Sequence, residues 1–543
     1  MVSMMRPLDI LMDRWSSFDF KPKFTSIVSP AEPLQWIGAE DQRRLRAYSM
    51  LEAYVKNKAR IWLGATTSTE HDDRREYGDA ALIVKTALSS LLGDDWEIKT
   101  EGAQGEDAEV DQASATAQQK FIEQWADSEK FSLKMLEAEE QAIKFGDSVY
   151  ALGWDPDKGR VRLRVYDPGF YFPVFDPREL QTDEFPNEVW VAWEFEEDNV
   201  AGHTETFVRR HEWYIDQTDD EDRDAPPTCF YRDAIWTLEA AVNENNPFGN
   251  EPYDVVTDWT DLEVDFIPVI HIPNTIAGQE HFGESVLADV LQILDDISST
   301  DTDTQAAAAT TGSPPIAVTG MGENTQESYG PGTILRTGDG TATLLDTSRS
   351  LDALLKLKDG LLERLAVNSR TPESLLGRVK PNEVPSGIAL TLSFTPHSGM
   401  IKNMRLVRDY KYRILFSFVI RMTQANGEYP GGDVIHQTNV KFGSFLPADA
   451  QEAMTVVTQL LEAGAISLET AVQYLVNKGY PISDYVTEIE RITERDYEGA
   501  QAVLSITGNP ELAAERLGIA PGDVLSFNEE DEEEDGDIPT IDA

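Results

Sequence analysis

The chain has 543 residues, with 97 acidic against 46 basic side chains, a net charge of −51 at neutral pH and one cysteine, Cys229. That length suits about two to four domains with large cores. The charge argues against a surface that grips nucleic acid or anionic membranes, and a single cysteine excludes an internal disulfide or a cysteine-based zinc cluster. Residues 1–24 lack the pattern of a signal peptide, and the most apolar run, Ile414–Ile420, is far too short to span a bilayer. A soluble, intracellular protein is expected.

Residues 1–39 carry prolines at 7, 22, 30 and 33 and read as an irregular arm. Leu45, Tyr48, Leu51, Val55 and Trp62 fall at helical spacings, which predicts one helix over about 40–63, stopped by Gly64. A short helix over 79–92 and a strand around Trp96 follow. Residues 101–113 read as an acidic, glycine-bearing loop, and a long helix is expected from Ser114, as its N-cap, to Phe145, ended by Gly146. The stretch VYALGWDPDKGRVRLRVYDP predicts a hairpin turning at residues 155–159. Further strand patterns, EVWVAWEFEE, TFVRRHEWYID and TCFYRDAIWTL, extend an antiparallel sheet across 147–272. Trp154, Trp190, Trp193, Trp213 and Trp236 sit in these patterns, where core packing is the ordinary role.

The period then changes. Val286, Leu287, Val290, Leu291, Leu294 and Ile297 mark a helix that runs into an alanine-rich end at 306–309. Residues 313–347 read as short strands with glycine turns, and leucines from 351 to 365 mark a second helix closed by Thr371-Pro372. The loop TPESLLGRVKPNEVPSGIAL precedes a helix expected over about 386–424, with a kink at Pro396 or Gly399. Residues 447–517 are helical with breaks at 464, 479–481 and 508–510, and the acidic tail, 528–543, reads as disordered. The fold class is α+β.

Signals of catalysis are absent: there is no phosphate-cradling glycine loop, no zinc-protease motif and no nucleophile elbow. No cofactor is expected. His203 with His211, and His271 with His281, are weak candidates for paired metal ligands. Asp295-Asp296 and Asp301-x-Asp303 are weak candidates for an acid and base, because carboxylates are abundant everywhere. Two basic stretches stand out. One is Arg43, Arg44, Arg46, Lys56, Lys58 and Arg60. The other is Lys402, Arg405, Arg408 and Lys411, a slowly rotating stripe read as a solvated face and a candidate subunit interface.

The order of elements resembles the portal proteins of tailed bacteriophages over residues 40–520, as do three local stretches. FGDSVYALGWDPDKGRVRLRVYDPGFYFPV is similar to the wing hairpin of actinophage-type portals. IPVIHIPN followed by FGESVLADVLQILDDISST resembles the entry to a stem helix, and PSGIALTLSF the segment opening the long helix. The resemblance implies a head-to-tail connector: an N-terminal arm (1–39), a wing (40–283), stem helices (284–312 and 348–371), a clip (313–347), a tunnel loop (372–385), a long wing helix and return (386–445) and a helical crown (446–527).

It further implies a homo-oligomeric ring, usually of twelve subunits, at one capsid vertex. Double-stranded DNA would pass through it non-specifically during packaging and ejection. The implied partners are the terminase large subunit, a head-tail adaptor, and the major capsid and scaffolding proteins, with no membrane. The implied location is the virion, and the host cytoplasm during assembly. Leu376, Gly377, Arg378, Val379, Lys380 and Asn382 would lie on the tunnel loop. Asp289, Asp295 and Asp296 would repel DNA from the stem. Glu323, Asn324, Gln326, Glu327 and Tyr329 on the clip would face the motor or the adaptor. The competing readings are an acidic hydrolase of the glycoside type, which would need a tryptophan-lined cleft, and another phage structural ring.

Overall fold

The computed structural model describes residues 36–66, 75–93, 96–102, 108–175, 185–198, 204–216, 227–238, 251–275, 281–312, 316–319, 341–344, 348–378, 392–427, 429–432, 434–444, 450–476, 485–507 and 512. It is an α+β chain of two compact units, 1–442 and 443–543.

The first unit opens with helices α1 (Ala39–Val55) and α2 (Ala59–Thr66). The sequence predicts one helix here, but the chain breaks at Asn57, whose φ is +55°. The Asn57 and Lys58 amides return to the carbonyls of Tyr54 and Ala53 at 3.2 and 2.7 Å. This is the Schellman closure, and asparagine tolerates its left-handed position. Helix α3 (Asp79–Leu92) lies between Gly78 and Gly93, both at positive φ, and matches the predicted bounds.

After β1 (Trp96–Thr100) comes α4 (Ala108–Glu129), which starts six residues before the expected N-cap at Ser114. A second break follows at Lys130, φ +54°, before α5 (Phe131–Phe145). Tertiary bonds hold this break. The Glu129 carboxylate accepts from the Leu163 amide at 3.0 Å and from Lys134 Nζ at 2.9 Å. Phe131 then enters the core, with the rings of Phe416, Trp96, Tyr412 and Trp125 at 5.7–6.1 Å.

The hairpin β2 (Asp147–Asp155) and β3 (Arg160–Tyr166) pairs from Val149–Tyr166 to Asp155–Arg160. The strands that follow do not extend this sheet. β4 (Tyr171–Val174), β5 (Glu188–Asp198), β6 (Thr204–Asp216), β7 (Thr228–Thr237) and β8 (Asp254–Asp261) form a separate five-stranded antiparallel meander. β9 (Val269–Pro273) returns to β2, completing a three-stranded sheet in the order β3-β2-β9. On the meander, Trp190, Trp213 and Trp236 are buried, as expected, while Trp193 there and Trp154 on β2 are half-buried. The guanidinium of Arg210, fully buried, lies 4.8 Å from the Trp236 ring and 5.0 Å from that of Trp190.

Helices α6 (Leu291–Gly312) and α7 (Ser348–Asn368) pack on one another and flank a two-stranded ribbon, β10 (Ile316–Thr319) and β11 (Thr341–Leu344). The long helix α8 spans Thr395–Ala425, and its expected start near residue 386 lies outside the described residues. Pro396 lies in its first turn, where no amide is needed, and the helix runs on through Gly399. β12 (Thr438–Phe442) pairs with β1, closing the unit. The second unit holds α9 (Ala450–Glu462), α10 (Leu468–Val476) and α11 (Tyr485–Thr507). Gly464, at φ +65°, ends α9 where a break was expected, and the Ser467 hydroxyl accepts the Thr470 amide to cap α10.

Gly146 and Gly283 bring two backbones together. Gly146 has φ +103°, and a Cβ on it would sit 2.5 Å from the Gly283 carbonyl oxygen. Replacing Gly146 with Ala should therefore cost about 3 kcal/mol, from strain and overlap together. A drop in the denaturant midpoint measures it.

Candidate functional site

Two buried clusters in the first unit meet where the sheets pass into α6, and a third, partly open, lies at the end of α7. The first centres on α8. Arg408, fully buried, donates from Nε to Glu139 Oε2 at 2.9 Å and from its two terminal nitrogens to the Asn274 carbonyl at 2.6 Å and Asn274 Oδ1 at 3.0 Å. Tyr412, one turn on, donates to Glu139 Oε1 at 2.7 Å, and its hydroxyl lies 3.2 Å from that of Tyr150. Asn274 also donates from its own amide to the Gly146 carbonyl and from Nδ2 to the Glu284 carbonyl. Helix α8, α5 and the segment leading to α6 are thereby fixed to one another.

The second cluster surrounds Asp147. Its carboxylate accepts from the Tyr48 hydroxyl at 2.5 Å and the Gly283 amide at 2.8 Å, and lies 2.7 Å from His271 Nε2. His271 stacks on His281 with ring centres 4.4 Å apart, and His281 Nε2 lies 3.1 Å from the Tyr171 hydroxyl. Burial pushes His271 down from its ordinary value, although the Asp147 carboxylate pulls the other way. Burial, helped by the neighbouring His271, Lys411 and Arg44, pushes His281 down to about 2. Both rings are neutral at pH 7. His271 and His281, weak candidates for paired metal ligands, form a stack in which His271 meets the Asp147 carboxylate. Among the described residues no group of three or more metal-ligating side chains occurs.

The third cluster holds the start of the loop after α7. The Arg370 and Thr371 amides return to the Val367 and Ala366 carbonyls, closing the helix. His397 bridges the Arg370 carbonyl, 3.1 Å from Nδ1, and the Ser90 hydroxyl, 2.9 Å from Nε2. Leu376 and Arg378 line a cleft of about 320 Å³ together with Tyr77, Leu82, Leu365 and Lys358. Lys358 pairs with Asp301. Arg378, about one-third exposed, reaches Glu373 at 3.4 Å and Asp359 at 4.0 Å. Gly377 has φ +72° and open space where a Cβ would stand.

Several sequence expectations change here. The basic stripe on α8 is not one solvated face. Arg408 is a core residue, and Arg405 donates to the Ser90 and Leu91 carbonyls at 3.1 and 3.0 Å, capping the C-terminal end of α3, where a cation is favoured. Lys411 is half-buried, 5.9 Å from the Phe185 ring, and only Lys402 of the four is fully exposed. The outward side of α8 instead carries Leu406 and Tyr410. Of the first basic stretch, Arg44 is held inside by Asp41 and the carbonyls of Pro168 and Tyr171. Asp289 and Asp296 are exposed, but Asp295 accepts the Tyr54 hydroxyl at 2.6 Å and does not stand free. Arg378 pairs within its own chain. Val379, Lys380 and Asn382, and the clip candidates Glu323, Asn324, Gln326, Glu327 and Tyr329, lie outside the described residues, as do His203 and the tail.

Sequence reasoning missed Glu139, Asp147 and Asn274. A signal existed: Phe-Gly-Asp-Ser at 145–148 and Phe-Gly-Glu-Ser at 282–285 are near copies, and their glycines meet. No family model matches this sequence, and a search of curated proteins finds no relative.

Removing one partner of the buried pair should be far worse than removing both. Arg408→Met alone should cost about 3–5 kcal/mol, and Glu139→Gln with Arg408→Met clearly less, by denaturant unfolding. The histidine stack sets a pH dependence. Histidines with lowered native values stabilise fully above about pH 6.5, and the contribution is lost as pH falls, because the unfolded chain takes up protons that the folded one refuses. His281→Gln should flatten the stability profile between pH 6 and 4 by about 1.4 kcal/mol per pH unit.

Proposed function

We propose that this chain is the subunit of a portal ring, the channel for double-stranded DNA at one capsid vertex. The supporting observation is the antiparallel pair α6 and α7. It carries the β10–β11 ribbon at one end and closes in a capped turn, and the 31-residue helix α8 follows in the chain. Stem, clip, tunnel loop and long helix would follow in that order.

Two physical features fit. The two helices pack mainly on one another, and Leu355, Leu357 and Val367 of α7 remain 44, 53 and 74 % exposed. A neighbouring copy in a ring would cover such a surface. The net charge of −51 per subunit gives twelve copies roughly 600 negative charges, which keeps phosphates from settling on the wall. Asp289 and Asp296, the exposed acids at the start of α6, are the channel candidates that remain. In this reading the protein hydrolyses nothing. A separate terminase docks on residues 313–347 and a head-tail adaptor later takes its place.

The purified chain should run as a particle of about 0.7 MDa, twelve times 60.6 kDa, in native mass measurement. Higher ionic strength should favour it by screening self-repulsion. Leu355→Glu with Leu357→Glu should return the mass to that of the 60.6 kDa chain with its circular dichroism unchanged. A wild-type chain that stays monomeric at micromolar concentration in every salt tested rules the ring out.

A further inference from the structure

A cleft of about 720 Å³ opens between the β2–β3 hairpin and one face of the five-stranded sheet. Its volume is that of a small-molecule site. Ala151 and Gly153 of β2 contribute almost no side chain, and a Cβ on Gly153 would meet nothing within 4 Å. Their cross-strand partners are Arg164 and Arg162, so two exposed guanidiniums rise beside an open floor. Trp213, Tyr231 and His211 line the opposite wall.

The charges decide what fits. Against Arg162 and Arg164 stand Asp155, Asp261 and Glu263, a formal balance of −1. His211 adds no charge, since burial pushes it down to about 4. The cleft therefore offers a phosphate or nucleotide no positive excess. Thr257, Thr260 and Asn426 add neutral donors and acceptors. An apolar ligand would bury these groups unpaired, which costs free energy. The lining suits a neutral molecule with an apolar face and many hydroxyls.

We propose that this cleft binds a neutral oligosaccharide. Its hydroxyls accept from the two arginines and donate to the carboxylates, while its ring faces lie on the aromatic wall. This role is independent of the portal reading and goes beyond it.

The test titrates the full-length chain with cellotetraose, maltotetraose and chitotetraose at neutral pH, read by tryptophan fluorescence and calorimetry. At least one sugar should bind saturably. Gly153→Phe, which fills the cleft from an unstrained strand position, should abolish binding. Arg164→Ala should weaken it about tenfold, the loss expected for one charged hydrogen bond. If Gly153→Phe fails to fold by circular dichroism, the exposed Arg164→Ala decides alone. Three sugars without binding at millimolar concentration overturn the proposal, as does binding that neither substitution changes. Saturable binding of AMP that Arg162→Ala removes, with no response to sugars, would show an anion site instead. Native mass is read in parallel, so failure here is distinguishable from failure of the ring.

Discussion

The fold of the first unit depends on one buried ion pair, Glu139 with Arg408. A guanidinium with no solvent must satisfy its donors inside the protein, and these reach one carboxylate and two oxygens of Asn274. That requirement ties α8 to α5 and, through Asn274, to the chain entering α6. The adjoining Gly146–Gly283 approach is possible only because neither residue carries a Cβ. Asp147, next to Gly146, then collects the Tyr48 hydroxyl, the Gly283 amide and the histidine stack at the same junction. Any displacement of α6 relative to the sheets would have to break these bonds.

Several arginines serve the chain's own interior. Arg44 bonds to backbone carbonyls beside the start of β4, Arg405 caps α3, Arg210 lies among tryptophan rings, and Arg408 is sealed in the core. Arginine is suited to buried polar contacts because its planar fork satisfies several acceptors at once. Carboxylates are drawn inside as well, Glu139 beside Arg408 and Asp147 beside Tyr48 among them.

Among the described residues, helices α6 and α7 pack mainly on one another, and Leu355 and Leu357 stay exposed. Exposed apolar residues also occur on α8, at Leu406 and Tyr410, and on β8, at Val255 and Val256.

The sequence by itself determined the elements whose signals are local. The β2–β3 hairpin follows from alternation around residues 155–159, and α3 from glycines at both ends. The α+β class, the two strand regions and the helices of the second unit were legible for the same reason. Only the tertiary structure decided the break at Lys130, where Glu129 is held by the distant Leu163 amide, whereas the break at Asn57 closes on local carbonyls that spacing alone did not reveal. It also decided that the strands divide into two sheets, since β9 chooses β2 from more than a hundred residues away. The basic stripe on α8 was misread on the same account. Spacing shows which residues share a helix face, but burial depends on what packs against that face. For Arg405 and Arg408 the deciding partners, the end of α3 and the pair Glu139 and Asn274, lie more than a hundred residues away in the chain.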